Sequence, residues 1–329
     1  MQCKSTSAVA FGIVLSLAAN VAQAAAPTPL KVGYSDWPGF VAWQVAIDKG
    51  WIKDAGLDVS FEWFDYGASL DAFGAGKLDG ILITNGDALV IGAGGGKGVM
   101  VMLTDYSNGN DMIVGKPNIK TMKDLKGQKV AVEMGLVDHL LLLDGLVKAG
   151  MSDKDVTVIN SKTTETPQVL ASGQVAAIGA WQPNSGQAMK AVPGAHPIYT
   201  SAEAPGLIYD ALSVTPASLA AHRADWVKLI KIWDRTVHYI YDPKTQDDAV
   251  AIMSKRDGLT PAAYKAFLGG THLLDLAAGK KAYQKGPGLD SIYGSTENAD
   301  KFNVKYAVYK ASQKADPYLD GSLTAAAMQ

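Results

Sequence analysis

Gly76-Lys-Leu-Asp-Gly-Ile-Leu-Ile-Thr84 runs from the end of a helical stretch, through a glycine, into an apolar strand and a polar turn that opens another helix. The same plan returns at Gly173-Gln-Val-Ala-Ala-Ile-Gly-Ala-Trp181, about a hundred residues on. One such unit per half predicts two α/β lobes of similar build. Ligands bind beyond the strand ends of open parallel sheets. Thr84–Asp87 and Trp181–Asn184 are therefore expected to face each other across a cleft.

Around the first unit, Leu30–Tyr34, Leu57–Trp63, Leu78–Thr84 and Val99–Asp105 read as strands, with helices at Phe40–Lys53, Ser69–Gly76 and Asp87–Ala93. Around the second, strands fall near Lys129–Glu133, Val156–Asn160, Ala176–Trp181 and Ile198–Ser201, and helices near Asp138–Ala149, Thr166–Ser172 and Asn184–Val192. This alternation argues for βα units and parallel sheets. After Pro216 the strand signals stop. Ala217–Tyr241 carries Leu219, Trp226, Leu229, Ile230, Trp233 and Val237 at helix spacing, and helices near Asp247–Lys255, Pro261–Leu268 and Asn298–Ser312 follow. Tyr106–Val114 and Gly206–Thr215 join polar residues to strand runs where the lobes meet, and two such crossings make a hinge. The expected division is 27–108 with 210–329 as a discontinuous first lobe, the helical tail packing on it, and 109–209 as the second lobe.

The chain has 329 residues, 48% hydrophobic and 19% charged, enough to bury a sizeable core. Lys and Arg number 30 against 32 Asp and Glu, so there is no global positive field and nucleic acid is not an expected partner. Residues 1–24 run from Lys4 through Ala8-Val-Ala-Phe-Gly-Ile-Val-Leu-Ser-Leu-Ala-Ala19 to the small-residue site Ala22-Gln-Ala24, the pattern of a secretory signal peptide. Its apolar run of about a dozen residues is too short to span a bilayer, which takes about 20. The expectation is an exported, periplasmic, monomeric protein cleaved near Ala24. Cys3 precedes the apolar run, so it does not suit a lipid anchor. Its removal leaves no thiol for disulfides, metal sites or nucleophilic catalysis.

Leu30-Lys-Val-Gly-Tyr34, Ala46-Ile-Asp-Lys-Gly50, Gly56-Leu-Asp-Val59, Ala75-Gly-Lys-Leu-Asp79, Asp124-Leu-Lys-Gly-Gln-Lys-Val130, Leu170-Ala-Ser-Gly-Gln-Val175 and Trp181-Gln-Pro183 occur in an order that resembles the substrate-binding proteins of ABC importers in the nitrate/taurine/alkanesulfonate family. The resemblance covers roughly 30–215. It implies the type II periplasmic-binding fold, with two α/β lobes joined by a hinge, and capture of a small solute for delivery to a membrane-embedded ABC permease, with no chemistry on the ligand and no cofactor. Trp63-Phe-Asp-Tyr66, Thr84-Asn-Gly-Asp87, Asp105-Tyr-Ser-Asn-Gly-Asn-Asp111 and Val137-Asp-His-Leu-Leu141 are similar to the branch of that family associated with urea and guanidine utilisation.

Sulfonate or nitrate is usually held by arginine, whose fork matches oxyanions. Arg223, Arg235 and Arg256 are the three arginines, and all fall in the helical tail. The cleft loops instead carry Asp36, Asp87, Asp111, Glu133 and Asp210, with Trp37, Trp63, Tyr106 and Trp181 among them. Carboxylates beside aromatic faces suit a planar cation. The candidate ligand residues are Trp37, Asn85, Asp87, Asp111, Glu133, His139, Trp181 and Asp210, for a guanidine-like, amine or urea-like solute. Taurine or another alkanesulfonate, nitrate, and a thiamine-precursor pyrimidine are the alternatives.

Each candidate has a structural reading beside the functional one. Asp87 either caps a helix or meets the ligand, and Asp138 reads as a cap. His139 is a packing residue or a site residue. Glu133 needs a cation or hydrogen bonds if buried. Asp111 and Asp210, on the hinge, otherwise pair with backbone amides. Trp63 is as much a core as a site residue, and Trp226 and Trp233 read as core.

Gly92-Ala-Gly-Gly-Gly-Lys-Gly98 lacks the spacing and the Ser or Thr of a phosphate loop and reads as a helix-to-strand turn. There is no Gly-x-Ser-x-Gly elbow, and five scattered histidines offer no metal pattern. An exported enzyme on the same fold is the competing class. The related branch that makes a thiamine pyrimidine carries a cysteine-rich motif, which the cysteine content here does not supply.

Overall fold

The computed structural model describes residues 29–329. The expected signal segment lies outside the described residues. Among the described residues eleven strands form two sheets: β1 (Leu30–Tyr34), β2 (Val59–Trp63), β3 (Gly80–Thr84), β4 (Val99–Ser107), β5 (Asp111–Gly115), β6 (Lys129–Val132), β7 (Thr157–Asn160), β8 (Ala177–Trp181), β9 (His196–Thr200), β10 (Tyr209–Val214) and β11 (Thr271–Leu273). The first sheet has the order β11-β4-β10-β3-β1-β2 and the second β7-β6-β8-β5-β9.

Both sheets are mixed, where βα alternation alone predicts parallel ones. β1, β2 and β3 are parallel, as are β6, β7 and β8. The strand that arrives from the other lobe is antiparallel in each case: β10 lies between β3 and β4, and β5 between β8 and β9. Each lobe thus carries three parallel strands plus the crossing strand, so the repeated unit seen in the sequence has the same surroundings twice.

The chain leaves the first sheet at Ser107 and enters the second at Asp111; it returns between Thr200 and Tyr209. The two crossings are stitched together, with 2.6 Å between the Ser107 and Ser201 hydroxyls and the Gly109 N–H donating to Ser201 at 2.7 Å. Asn110 Nδ2 donates to the Phe267 carbonyl and Thr271 Oγ1, both at 2.7 Å, fastening the first crossing to the C-terminal segment.

Helical periodicity in the tail becomes the helices Pro216–Ala221 and Arg223–Tyr241, the second with Trp226, Leu229, Ile230, Trp233 and Val237 buried. Trp43 and Trp233 pack with ring centroids 5.0 Å apart, and Trp233 Nε1 donates to the Leu274 carbonyl. The tail therefore packs on the first sheet's lobe, and its interior residues join that lobe's core.

Three local readings change. The stretch read as Phe40–Lys53 is three short helices, Pro38–Val41, Trp43–Asp48 and Trp51–Asp54, and Gly50, at a left-handed φ of 73°, separates the last two. The last long helix runs Ile292–Lys305, capped by Ser291 accepting from the Tyr293 N–H, and stops before Ala307 at φ 56°. Strand structure also continues past Pro216: the three residues of β11 are held by edge pairing to β4, a tertiary contact too short to leave a periodic signal. Trp233→Ala removes a fully buried indole and its hydrogen bond; urea unfolding should show a loss of about 3–5 kcal/mol.

Candidate functional site

β3 and β8, the strands of the repeated unit, end at Thr84 and Trp181, and both residues line one small cavity. Ser35, Trp37, Phe40, Tyr66, Thr84 and Asp210 come from the first lobe, and Asp111, Val137 and Trp181 from the second. The cavity gives about 20 Å³ to the centre of a water-sized sphere, where one water needs roughly 10–15 Å³ on the same measure. It has room for one or two water-sized groups. Outside it lies an open groove of about 610 Å³ between Asp65–Gly74 on one lobe and Glu133, Lys162 and Thr163 on the other. The larger space is the cleft mouth, while Asp111 and Asp210 line the smaller one.

The walls are held by aromatic hydrogen bonds. Trp37 Nε1 donates to Asp105 Oδ1 at 2.9 Å, which fixes its indole, and the helix Pro38–Val41 passes so close at Gly39 that a Cβ there would collide with the Asp105 carboxyl group. Tyr66 meets Trp181 edge to face across the lobes at 5.4 Å. Trp181 Nε1 donates to Asp36 Oδ1 at 2.9 Å and Asn184 Nδ2 to Asp36 Oδ2 at 2.7 Å. Asp36 belongs to the first lobe and both donors to the second, so its carboxylate ties the two together.

Five aspartates cluster where the lobes meet. Asp105 on β4 is paired with Asp210 on β10, and each carboxyl group feels the other. Asp111 on β5 lies opposite Trp181 on β8, and Asp138, in the first turn of the helix Val137–Lys148, is close enough to feel its charge. Asp87, in the helix Asn85–Ala93, accepts from the Tyr66 hydroxyl at 2.7 Å. All five are buried. None forms an ion pair with Lys, Arg or His among the described residues. Asp105 Oδ2, Asp111 Oδ2 and Asp138 Oδ1 have no hydrogen-bond partner. A buried acceptor left in that condition costs about 1–3 kcal/mol, more when charged.

Burial therefore raises these acids. Desolvation pushes Asp87 and Asp111 up to about 7 and Asp105 up to about 6, and holds Asp138 and Asp210 well above the carboxylate range. Neighbouring carboxylates add to the effect for Asp111, Asp138 and Asp210. Asp257, behind Asp36 on the C-terminal segment, is pushed up to about 8 by burial and by Asp36, and neither of its oxygens has a partner.

The residues expected from sequence divide accordingly. Trp37, Asp111, Trp181 and Asp210 line the inner cavity. Asp87 sits behind Tyr66 and Thr84, and Glu133 lies in the outer groove, accepting from Thr163. Asn85 does not line it: Nδ2 donates to Ser295 and Thr296 and Oδ1 accepts from the Tyr209 N–H, a fastener between β10 and the last long helix. His139 turns Nδ1 to the Gly135 N–H, and burial lowers its basicity. Tyr106 stacks on His272 in a separate hollow on the hinge. Arg223 binds Ser322, Arg235 covers Trp51 and Arg256 covers Trp63, so none enters the cavity.

Sequence reasoning missed Asp105 and Tyr66 and took Asp138 for a helix cap. Asp138 caps nothing; its carboxylate accepts from Thr163 Oγ1. The hinge pairing of Asp111 and Asp210 with backbone amides is absent from the structure's bonds as well. What marks these residues is the coincidence of acids at four strand or helix ends, which only a placed sheet brings together.

The chain belongs to the NMT1/THI5-like family, whose model matches residues 37–246. A Brucella abortus protein named as a binding protein is 33% identical over 193 residues, 58% of this chain; the chain spans 59% of that relative's length. Among solved structures, the alkanesulfonate-binding protein SsuA of Xanthomonas axonopodis pv. citri, bound to MOPS, superposes with a TM-score of 0.75 at 17% identity, over 90% of this chain and 99% of that one. The periplasmic nitrate-binding protein NrtA of Synechocystis PCC 6803 gives 0.73 at 14%, over 92% and 88%. The desulfurization enzyme DSZB gives 0.64 at 12%, over 92% and 99%. At such identities the likeness establishes the periplasmic-binding-protein fold, which serves binding proteins and at least one enzyme.

Acids raised in the folded state bind more protons there than in the unfolded chain. Their contribution to stability is complete below about pH 4 and is lost as pH rises through about 6–7. The purified protein without solute should melt lower at pH 8 than at pH 5, by on the order of 5 °C in calorimetry. Asp87→Asn should reduce that difference.

Proposed function

We propose that this chain is an exported solute-binding protein that closes on a small nitrogen cation, guanidinium foremost, and delivers it to an ABC permease. The observation that carries the reading is the set of buried aspartates with partnerless oxygens and no cationic side chain among them. A positively charged solute bearing N–H groups supplies both what is missing in charge and what is missing in hydrogen bonds.

Three further features favour it. Asp111 and Asp210 approach from opposite lobes, so a donor-rich cation bridges them on closure. Trp37, Phe40, Tyr66 and Trp181 supply aromatic surface for a planar cation. The cavity is small, which favours small solutes over bulky ones. A quaternary ammonium ion has charge but no donors, and leaves the carboxylate oxygens unsatisfied. Sulfonate or nitrate would add negative charge to a site whose acids already repel one another, with no arginine or lysine lining the cavity. The MOPS-bound relative shows what this architecture accommodates elsewhere, not what this cavity accepts.

Transport in place of catalysis is supported by the named binding role of the Brucella relative and by the absence of a nucleophile–base pair along the cavity wall among the described residues. Periplasmic location follows from the signal-like segment at residues 1–24, and a monomer is the expected state.

Titration calorimetry at pH 8 with guanidinium, methylammonium, urea, taurine and nitrate tests the assignment. Guanidinium should saturate one site in the micromolar range, urea should bind at least about 100-fold more weakly, and the anions should give no heat. Saturable taurine binding with none of guanidinium reverses the ligand assignment; turnover of the bound solute reverses the transport assignment. Asp111→Asn should weaken guanidinium about 100-fold, about 3 kcal/mol, as expected on removing one partner of a buried charge pair.

A further inference from the structure

The site presents a problem of charge that closure alone does not solve. Asp105 and Asp210 are directly paired on neighbouring antiparallel strands, and both are buried. Asp111 Oδ2 and Asp138 Oδ1 are buried with no donor within reach. From the surrounding elements, Asp105 and Asp87 face Asp111, while Asp111 and Glu133 face Asp138. Asp210 faces Asp105, Asp111 and Asp87. Tyr241 and Tyr264 lie near Asp105 and are neutral. His139, on the same helix as Asp138, is held to Gly135 and kept uncharged by burial. The cation that acts in this region is Lys162, and it acts on Glu133 in the outer groove.

No protein cation therefore balances the inner acids, and closing the lobes around them requires protons. We propose that solute capture is an exchange: each cation entering the cavity displaces close to one proton from the carboxyl groups of Asp111 and Asp210. This rests on the cationic reading of the site. In the exchange the carboxyl O–H bond breaks, its proton passes to water, and the electron pair stays on the oxygen, which then accepts an N–H of the solute. One positive charge enters and one leaves, so the low-dielectric site keeps its net charge.

The burial-raised acids place the exchange near neutral pH. Guanidinium remains charged throughout, so only the protein titrates. Affinity should tighten about tenfold between pH 6 and pH 7 and level off above about pH 8. Urea, which is neutral, asks for no proton release and should show no such rise.

Calorimetry of guanidinium binding from pH 6 to 8.5, in two buffers of different ionisation enthalpy neither of which is an amine cation, measures the protons released. Close to one at pH 6, declining above pH 8, is the expected result. Asp210→Asn, whose amide does not titrate, should lower that number; the wild-type titration decides even if this variant does not fold. Guanidinium binding with a flat pH profile and equal heats in both buffers overturns the exchange and leaves the cationic assignment standing. No guanidinium binding at any pH overturns both.

Discussion

Like-charge repulsion at the lobe junction, in a place too dry to screen it, is the constraint on which the site depends. Asp105 and Asp210 stand on neighbouring antiparallel strands, Asp111 begins the strand that crosses into the second lobe, and Asp87 and Asp138 sit in the first turns of helices from opposite lobes. At an interior dielectric, charges this close repel by several kcal/mol. On the proposed reading, a positive guest or protons would relieve that repulsion.

The rest of the architecture holds that junction in place. Ser107, Gly109 and Ser201 tie the two chain crossings together. Asn110 ties one of them to the C-terminal segment, and Asn85 ties β10 to the last long helix. The C-terminal helices thus brace the first lobe and the hinge, while the indole–carboxylate bonds from Trp37 and Trp181 set the cavity walls. Trp181 is positioned by Asp36 across the cleft, so its place in the wall depends on closure itself.

The shared fold fixes where strand ends converge and leaves open what they carry. In this chain, the arginines expected of an oxyanion site are spent on surface contacts: Arg235 lies over Trp51 at 3.8 Å and Arg256 over Trp63 at 4.0 Å. The positions that remain around the cavity are acidic and aromatic.

Much of the fold was legible in the chain. Strand and helix periods, the repeated unit ending at Thr84 and Trp181, and the apolar face of Arg223–Tyr241 are local patterns, and local patterns survive in one dimension. The acidic, aromatic character of the cleft and the absence of arginine from it were legible for the same reason. Which acids meet was not. The pairing of Asp105 with Asp210 depends on β10 inserting between β3 and β4, about a hundred residues from either partner. The burial of Asp138, the diversion of Asn85 and His139 to structural bonds and the tie at Asp36 arise the same way. Residue type and spacing state what a side chain can do, but desolvation and pairing depend on neighbours that only the folded sheets supply.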